Sequence, residues 1–217
     1  RRTGIGDSSF AVIQEALAGD VPRYLAELRS RYAPPPSALR GLLRGDLHSH
    51  SNWSDGTTPI ADMVAAVRPD VLHLCGNIAL VTPDHVRQLR ETLLPLYPEL
   101  RILQAIPMTG PEALDHAAAF EPYSDSFILD SVAAHIDGIG AAGVTHDWSL
   151  SREIVKRSKL PVILAGGLGP DNVAAAIEAV KPWAVDSLTH TNKPLPEGGF
   201  RKDIDKIAAF VKAARAA

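Results

Sequence analysis

The 217-residue sequence has one cysteine, Cys75, and no long hydrophobic run. A single cysteine excludes an internal disulfide and a zinc site built from cysteines. No apolar stretch approaches the roughly 18 residues that a membrane-spanning helix needs. The first residues also lack the apolar centre of a secretion signal. We therefore expect a cytoplasmic protein that does not contact a membrane.

The composition is that of a globular protein, with 46% hydrophobic and 22% charged residues and a net charge of −3. These values exclude a disordered polyelectrolyte. The charge is unevenly distributed, because residues 1–45 carry seven arginines and four acidic residues, whereas the remaining chain is acidic. Two interpretations stay open for residues 1–45: a basic arm that contacts nucleic-acid phosphates, or a solvated helix surface.

A proline-rich segment divides the sequence. Residues 33–37, Ala-Pro-Pro-Pro-Ser, interrupt helical structure because proline lacks the backbone N–H. The pattern predicts an N-terminal helical extension with its linker over residues 1–37 and a main domain over residues 38–217.

Short strand-like runs alternate with amphipathic helices in the main domain. This alternation predicts an α/β fold, a barrel-like or partial (β/α)₈ barrel with about six βα units and a parallel sheet. Proline residues at positions 59, 83 and 170 predict the first turns of three helices. The predicted strands are 45–50, 71–75, 102–106, 126–130, 161–165 and 184–187. The predicted helices are 59–67, 83–94, 111–119, 149–158, 170–180 and 203–215.

Ligands of such folds bind beyond the carboxyl ends of the strands, so the residues that follow each strand are the candidates. Asp130 ends one predicted strand and is a candidate general acid or base, or a residue that caps its own loop. Gly166 and Gly167 precede a predicted helix start, which favours a phosphate cradle or a plain tight turn. Ser187, at the next strand end, is a candidate side-chain donor to the same anion.

The second half of the sequence resembles the phosphoribosylanthranilate isomerase family over residues 69–217. The segments that carry the resemblance are Ile128-Leu129-Asp130-Ser131, Gly140-Ala-Ala-Gly143, Asp147-Trp148-Ser149, Leu164-Ala165-Gly166-Gly167-Leu168 and Asn172-Val173. The resemblance implies a (β/α)₈ barrel and an Amadori rearrangement of an aminosugar phosphate, a small phosphorylated sugar, without a cofactor.

The resemblance also assigns roles to particular residues. It implies that Asp130 is the general acid, that Gly166 and Gly167 bind phosphate, and that a loop containing Gly140, Gly143 and Asp147 contacts the substrate. The family's general base is a cysteine in a Lys-x-Cys-Gly context, which this sequence lacks. The context of Cys75 is that of a later strand, so the base role does not transfer to it, and we expect weak or absent activity.

The first third of the chain resembles a different family. Residues 45–56, which include His48 and His50, resemble the opening of a PHP-type metallophosphoesterase domain, and Gly4-Ile5-Gly6 resembles part of the DNA-binding element that precedes it in family X polymerase-like proteins. Two histidines at i and i+2 on a strand face one way and can reach one Zn²⁺ or Mn²⁺ ion. The further ligands are not found, and a polar strand end without metal is the alternative.

These two resemblances leave several functions open. A junction near residue 68, with a PHP-like segment over 38–68, predicts a recombined barrel, and the alternatives to the isomerase are a metal-dependent phosphoesterase and a non-catalytic chimera or nucleic-acid-binding module. Six strands also leave the sheet edges open, which favours pairing with another copy. We therefore expect a homo-oligomer.

Overall fold

The computed structural model describes residues 51–53, 57–132, 138–196 and 198–217. All of them lie in one compact unit, Asp46–Ala217. The predicted strand at 45–50, the N-terminal helices, the proline-rich linker, His48 and His50 lie outside the described residues. Among the described helices, none has both the length and the apolar character needed to cross a membrane.

Within the described residues, the central sheet consists of five parallel strands whose spatial order is their order in the chain. It confirms the predicted α/β fold with βα units. The strands are β1 (Val71–Leu74), β2 (Arg101–Pro107), β3 (Ser126–Asp130), β4 (Val162–Leu164) and β5 (Ala184–Val185). The helices are α1 (Ile60–Val67), α2 (Pro83–Leu93), α3 (Ala113–Phe120), α4 (Trp148–Arg157), α5 (Val173–Val180) and α6 (Ile204–Ala216).

The two faces of this sheet are packed differently. Successive strand side chains point to opposite faces, and the larger apolar cluster, which includes Phe127 and Leu129, joins the sheet to the helices. Ile128 belongs to a second, smaller cluster with Ala105 and Ala165. Asp130 follows Ile128 by two residues, so the alternation places its carboxylate on the face of the smaller cluster.

An ion pair stabilises the amino-terminal edge of the sheet. The Asp125 carboxylate accepts hydrogen bonds from the Arg90 guanidinium at 2.7 Å and from the Ile102 N–H at 2.8 Å. Burial of Asp125 opposes its ionisation, but these two contacts outweigh burial and lower the pKa of Asp125. The pair therefore ties α2 to the start of β2 and β3, at the edge opposite to the candidate site.

The helix starts follow the sequence pattern in part. Pro83 is the first residue of α2, as the pattern predicts. The structure adds a reciprocal capping box, which the Thr82 hydroxyl and the His85 ring form at this helix start. The predicted start of a helix at Pro170 is wrong, because α5 begins at Val173. The Asn172 side chain holds the preceding residues in a turn, since its Oδ1 accepts from the Gly169 N–H at 2.8 Å and its amide donates to the Gly167 carbonyl at 3.0 Å.

The sequence pattern also misses a small antiparallel hairpin between β5 and α6. Its strands are β6 (Asn192–Pro194) and β7 (Phe200–Lys202). Each strand has three residues, and proline ends β6, so neither shows the alternation that marks a longer strand. Gly198 and Gly199, both with positive φ, turn the chain between the two strands.

Candidate active site

The carboxyl ends of β3, β4 and β5 enclose a small polar cleft. Its walls include Asp130, Gly143, Gly167, Asp186 and His190. Because the strands are parallel and in register, their carboxyl ends meet at one edge, and this brings residues from four separate segments together. The volume of the cleft is about 20 Å³, roughly what one water molecule needs.

Asp130 lies at the base of this cleft and is mostly buried. The burial raises the pKa of Asp130 to about 6, the hydrogen bond from the Ser131 N–H opposes this shift, and the charge of Asp186 adds to it. The Ser131 N–H donates to Asp130 Oδ1 at 2.7 Å. A carboxyl group that keeps its proton close to neutral pH is suited to general acid catalysis.

The glycine turn after β4 presents unpaired backbone donors. Gly166 and Gly167 have φ values of 81° and 61°, a region that glycine adopts at little cost. The N–H groups of Gly166, Gly167 and Leu168 donate to no acceptor within the described part of the chain. Successive free N–H groups of this kind form an anion-binding concavity, so the arrangement is compatible with the predicted phosphate cradle.

Ser187 lies beside this turn, and its hydroxyl has another partner. The Ser187 Oγ donates to the Leu168 carbonyl at 2.6 Å and so connects the ends of β4 and β5. This contact directs the hydroxyl proton to Leu168, so donation to an anion would require the hydroxyl to rotate. The role of Ser187 as a side-chain donor to an anion stays a prediction.

The segment from Gly138 to Asp147 contributes Ala141 and Gly143 to the wall of the cleft, and its contact with a substrate stays a prediction. Gly140 lies on the Asp130 carboxylate, since a Cβ atom at Gly140 would be 2.8 Å from Asp130 Oδ2. Gly143 lines the cleft, and its carbonyl accepts from His190 Nε2 at 2.9 Å. Asp147 does not line the cleft; its carboxylate accepts from the Ser149 N–H and caps α4.

A half-buried histidine, His146, holds this loop in place. The Ser131 hydroxyl donates to the Val144 carbonyl at 2.6 Å, so the His146 Nδ1, 3.1 Å away, must be the donor to Ser131. His146 Nε2 then accepts from the Ser151 hydroxyl at 2.8 Å. Burial lowers the pKa of His146 to about 4, against the charge of Asp147, and keeps the ring neutral.

Sequence reasoning misses Ser131, His146, Ser151 and His190 as members of this site. The available signals were weak: Ser131 directly follows the candidate acid, and His146 directly precedes the residue that caps α4. Ser151 is fully buried although it lies on a helix with a charged outer face.

Comparisons with known proteins give the family. The profile of N-(5'-phosphoribosyl)anthranilate isomerase matches residues 90–213, more than half of the chain. The chain belongs to the phosphoribosylanthranilate isomerase family. An isomerase of this name from Haloferax volcanii is 33% identical over 201 residues, which cover 91% of this chain and 79% of that protein. A second, from Methanosarcina mazei, is 39% identical over 134 residues, 62% of this chain and 56% of that protein.

The fold agrees with that of the family. The crystal structure of the monomeric form of the dimeric phosphoribosylanthranilate isomerase from Thermotoga maritima superposes with a TM-score of 0.51 and 26% identity, over 73% of this chain and 66% of that chain. The matched part of this chain therefore spans only about half to two thirds of some phosphoribosylanthranilate isomerases, the Methanosarcina protein included.

The metallophosphoesterase resemblance finds no support. The alignment with the Haloferax isomerase covers 91% of the chain and so includes the segment at 45–68, through which the expected junction would run. His48 and His50 lie outside the described residues, and elsewhere in the described ranges no group of three or more His, Cys, Asp or Glu side chains could hold a metal ion.

Proposed function

We propose that this chain catalyses the isomerisation of N-(5'-phosphoribosyl)anthranilate with Asp130 as the general acid. The observation that carries the proposal is the Asp130 carboxyl group, whose pKa is about 6, at the carboxyl end of β3 in a cleft that also holds free N–H donors. Membership in the isomerase family supports the reaction class.

The reaction needs a proton donor and a proton acceptor. Asp130 gives its proton to the ring oxygen of the sugar while the bond from C1 to that oxygen breaks, and the nitrogen lone pair forms the C=N bond. A base then removes the proton from C2. The resulting enaminol gains a proton at C1 and loses the proton of its C2 hydroxyl, which gives the ketone. A positioned acid contributes about 10²–10⁴-fold to such a step, and no cofactor is required.

The substrate phosphate would bind at the turn after β4. Its oxygens accept the N–H groups of Gly166, Gly167 and Leu168, which have no other acceptor within the described residues. Asp186 lines the same cleft and repels an anion. We therefore expect modest phosphate affinity, set by how far the Asp186 carboxylate lies from the turn.

Substrate entry requires the cleft to widen, since a sugar phosphate does not fit in about 20 Å³. The hydrogen bond between His190 and the Gly143 carbonyl links the loop to the segment after β5. Separation of these two residues would expose the glycine turn and Asp130 together. We therefore expect this loop to open during turnover.

Slow turnover and self-association are two further parts of the proposal. The sequence as printed has no Lys-x-Cys-Gly segment for the base, so we expect a low kcat. The Thermotoga relative is dimeric, and this chain exposes Trp183, Phe200 and Ile204. Light scattering at increasing concentration should show a dimer or a larger oligomer; a monomer at high concentration would contradict the expectation.

A direct experiment is conversion of N-(5'-phosphoribosyl)anthranilate by the purified chain, by Asp130→Asn and by the control Asp171→Asn, in which an aspartate that does not line the cleft is changed. Product is measured by chromatography. We expect conversion by the wild type and the control and a loss of at least about 100-fold in Asp130→Asn. Equal rates for all three proteins, or no conversion by the wild type, would reject the proposal.

A further inference from the structure

We propose that His146 and Ser131 form a positioning unit for Asp130, in which the neutral imidazole holds the loop that covers the acid. The proposal concerns the arrangement of the acid and rests on the proposed function only for its kinetic consequence. Neither side chain lines the cleft in which the substrate would react. Both are therefore assigned a positioning role.

Ser131 is the centre of the arrangement, since all its polar groups contact either Asp130 or the loop above it. Its N–H donates to Asp130 Oδ1 at 2.7 Å, and its carbonyl accepts from the Gly140 N–H at 3.0 Å. Its hydroxyl donates to the Val144 carbonyl at 2.6 Å. One residue thus fixes both the carboxylate and the backbone that covers it.

His146 fixes the orientation of the Ser131 hydroxyl. The ring donates from Nδ1 to Ser131 Oγ and accepts at Nε2 from Ser151 on α4. A hydroxyl that accepts from the imidazole directs its own proton to Val144. The imidazole therefore connects α4 to the residue next to the acid, which lies 15 positions earlier in the sequence.

The glycine turn packs against the same pair. A Cβ atom at Gly166 would lie 2.5 Å from Ser131 Oγ and 2.9 Å from His146 Nδ1. The pair therefore contacts the candidate phosphate turn as well as the residue next to the acid. Displacement of the pair would disturb both the acid and the turn. Because the Ser131 N–H donates directly to Asp130, we expect the larger effect on the acid.

The positioning role predicts that the pKa of Asp130 falls when the imidazole donor is lost. Gly140 covers Asp130 Oδ2, so release of the loop admits water and removes the burial that raises the pKa of Asp130. The charged or titratable groups that face the acid across the cleft are Asp186 and His190, and Asp147 lies beside His146. These groups are unchanged in the variants below. A change in the pKa of Asp130 therefore indicates a change in how the loop covers the acid.

Two substitutions separate the two ring nitrogens. In His146→Asn the amide nitrogen lies near the position of Nδ1 and keeps the donor to Ser131. In His146→Gln the amide reaches the position of Nε2 and keeps only the contact with Ser151. Ser131→Ala removes the acceptor itself, and Lys156→Ala, on an exposed face of the same helix, is the control for folding.

The first measurement is the titration of the Asp130 carboxyl carbon by NMR in each protein. We expect pKa values near 6 in the wild type, His146→Asn and Lys156→Ala, and a fall of at least one pKa unit in His146→Gln and Ser131→Ala. This measurement does not depend on turnover. Equal values in the Asn and Gln variants, or an unchanged value in Ser131→Ala, would overturn the positioning role.

The second measurement is kcat against pH. If the protonated acid is required, each unit of decrease in the pKa of Asp130 lowers kcat at pH 7 about tenfold, with a much smaller change in KM. Rescue by His146→Asn but not by His146→Gln is the expected result. A wild type without turnover would reject the proposed reaction, while the NMR titration would still decide the role of His146.

Discussion

Replacing Asp130 by asparagine should make the protein more stable at neutral and alkaline pH. The pKa of Asp130 is about 6 in the folded protein, against an ordinary value of 3.8. The folded state therefore holds the proton more tightly than the unfolded state, so this group's contribution to stability is complete below about pH 4 and is lost as the pH rises through 6. Above pH 7 the ionised, buried carboxylate destabilises the fold.

The size of the effect follows from the two pKa values. One pKa unit corresponds to about 1.4 kcal/mol, so the difference between 3.8 and about 6 amounts to at most about 3 kcal/mol. Asparagine keeps an oxygen that can accept the Ser131 N–H but carries no charge. Asp130→Asn should match the wild type near pH 4 and exceed its free energy of unfolding by about 2–3 kcal/mol at pH 8.

Urea unfolding at pH 4, 5, 6, 7 and 8 measures this difference directly. Comparing the variant with the wild type at each pH cancels the contributions of all other titrating groups. Two results would show that Asp130 is not a buried acid with a raised pKa. One is an equal free energy of unfolding for the variant and the wild type at pH 8. The other is an advantage of the variant over the wild type that grows as the pH falls. The same variant should be inactive, which separates the role of the residue in chemistry from its role in stability.

The other predictions also concern buried or strained groups. The pKa of His146 is lowered to about 4, so its contribution to stability is present above pH 6.5 and is lost as the pH falls to 4. In urea unfolding, the free energy of unfolding of His146→Asn should rise relative to that of the wild type by up to about 3 kcal/mol as the pH falls over that range. A difference between the two proteins that does not change with pH would contradict this prediction. Gly167→Val should destabilise by more than 3 kcal/mol in urea unfolding, because a Cβ there would lie 2.5 Å from the loop backbone. Gly199→Val, also at positive φ but with open space around it, should cost about 1–2 kcal/mol, and equal losses would remove the steric argument. Asp125→Ala should lower the midpoint of urea unfolding by an amount equivalent to about 2–4 kcal/mol, whereas loss of the exposed Asp84 should cost less than 1 kcal/mol; similar losses would argue against a special role for the Asp125 pair.

Most of the strands and helices could be predicted from the sequence, because they show strong periodicity. Strand β3 was predicted with its observed bounds, 126–130, since its apolar run is short and ends at a charged residue. Helix α5 was predicted three residues too early because Asn172 takes the N–H of Gly169 and postpones the helix. A proline signal cannot reveal such a side-chain contact.

The candidate site could be predicted in outline but not in its connections. Asp130, Gly143 and Gly167 are brought to one cleft because parallel strands place their carboxyl ends together. The hydrogen bonds of His146 link residues 5 and 15 positions away, and these depend on how the loop folds back over β3. The contact of the Ser187 hydroxyl with the Leu168 carbonyl is a further connection that the sequence does not show.

The most direct test of the central claim is kcat, at saturating N-(5'-phosphoribosyl)anthranilate, from pH 4.5 to 8.5. If Asp130 is the general acid, kcat should be constant at low pH and fall about tenfold per pH unit above an apparent pKa near 6. Asp130→Asn should remove both the rate and its pH dependence. A wild-type kcat that does not change between pH 5 and 8, or an Asp130→Asn variant that keeps the wild-type rate, would contradict the assignment.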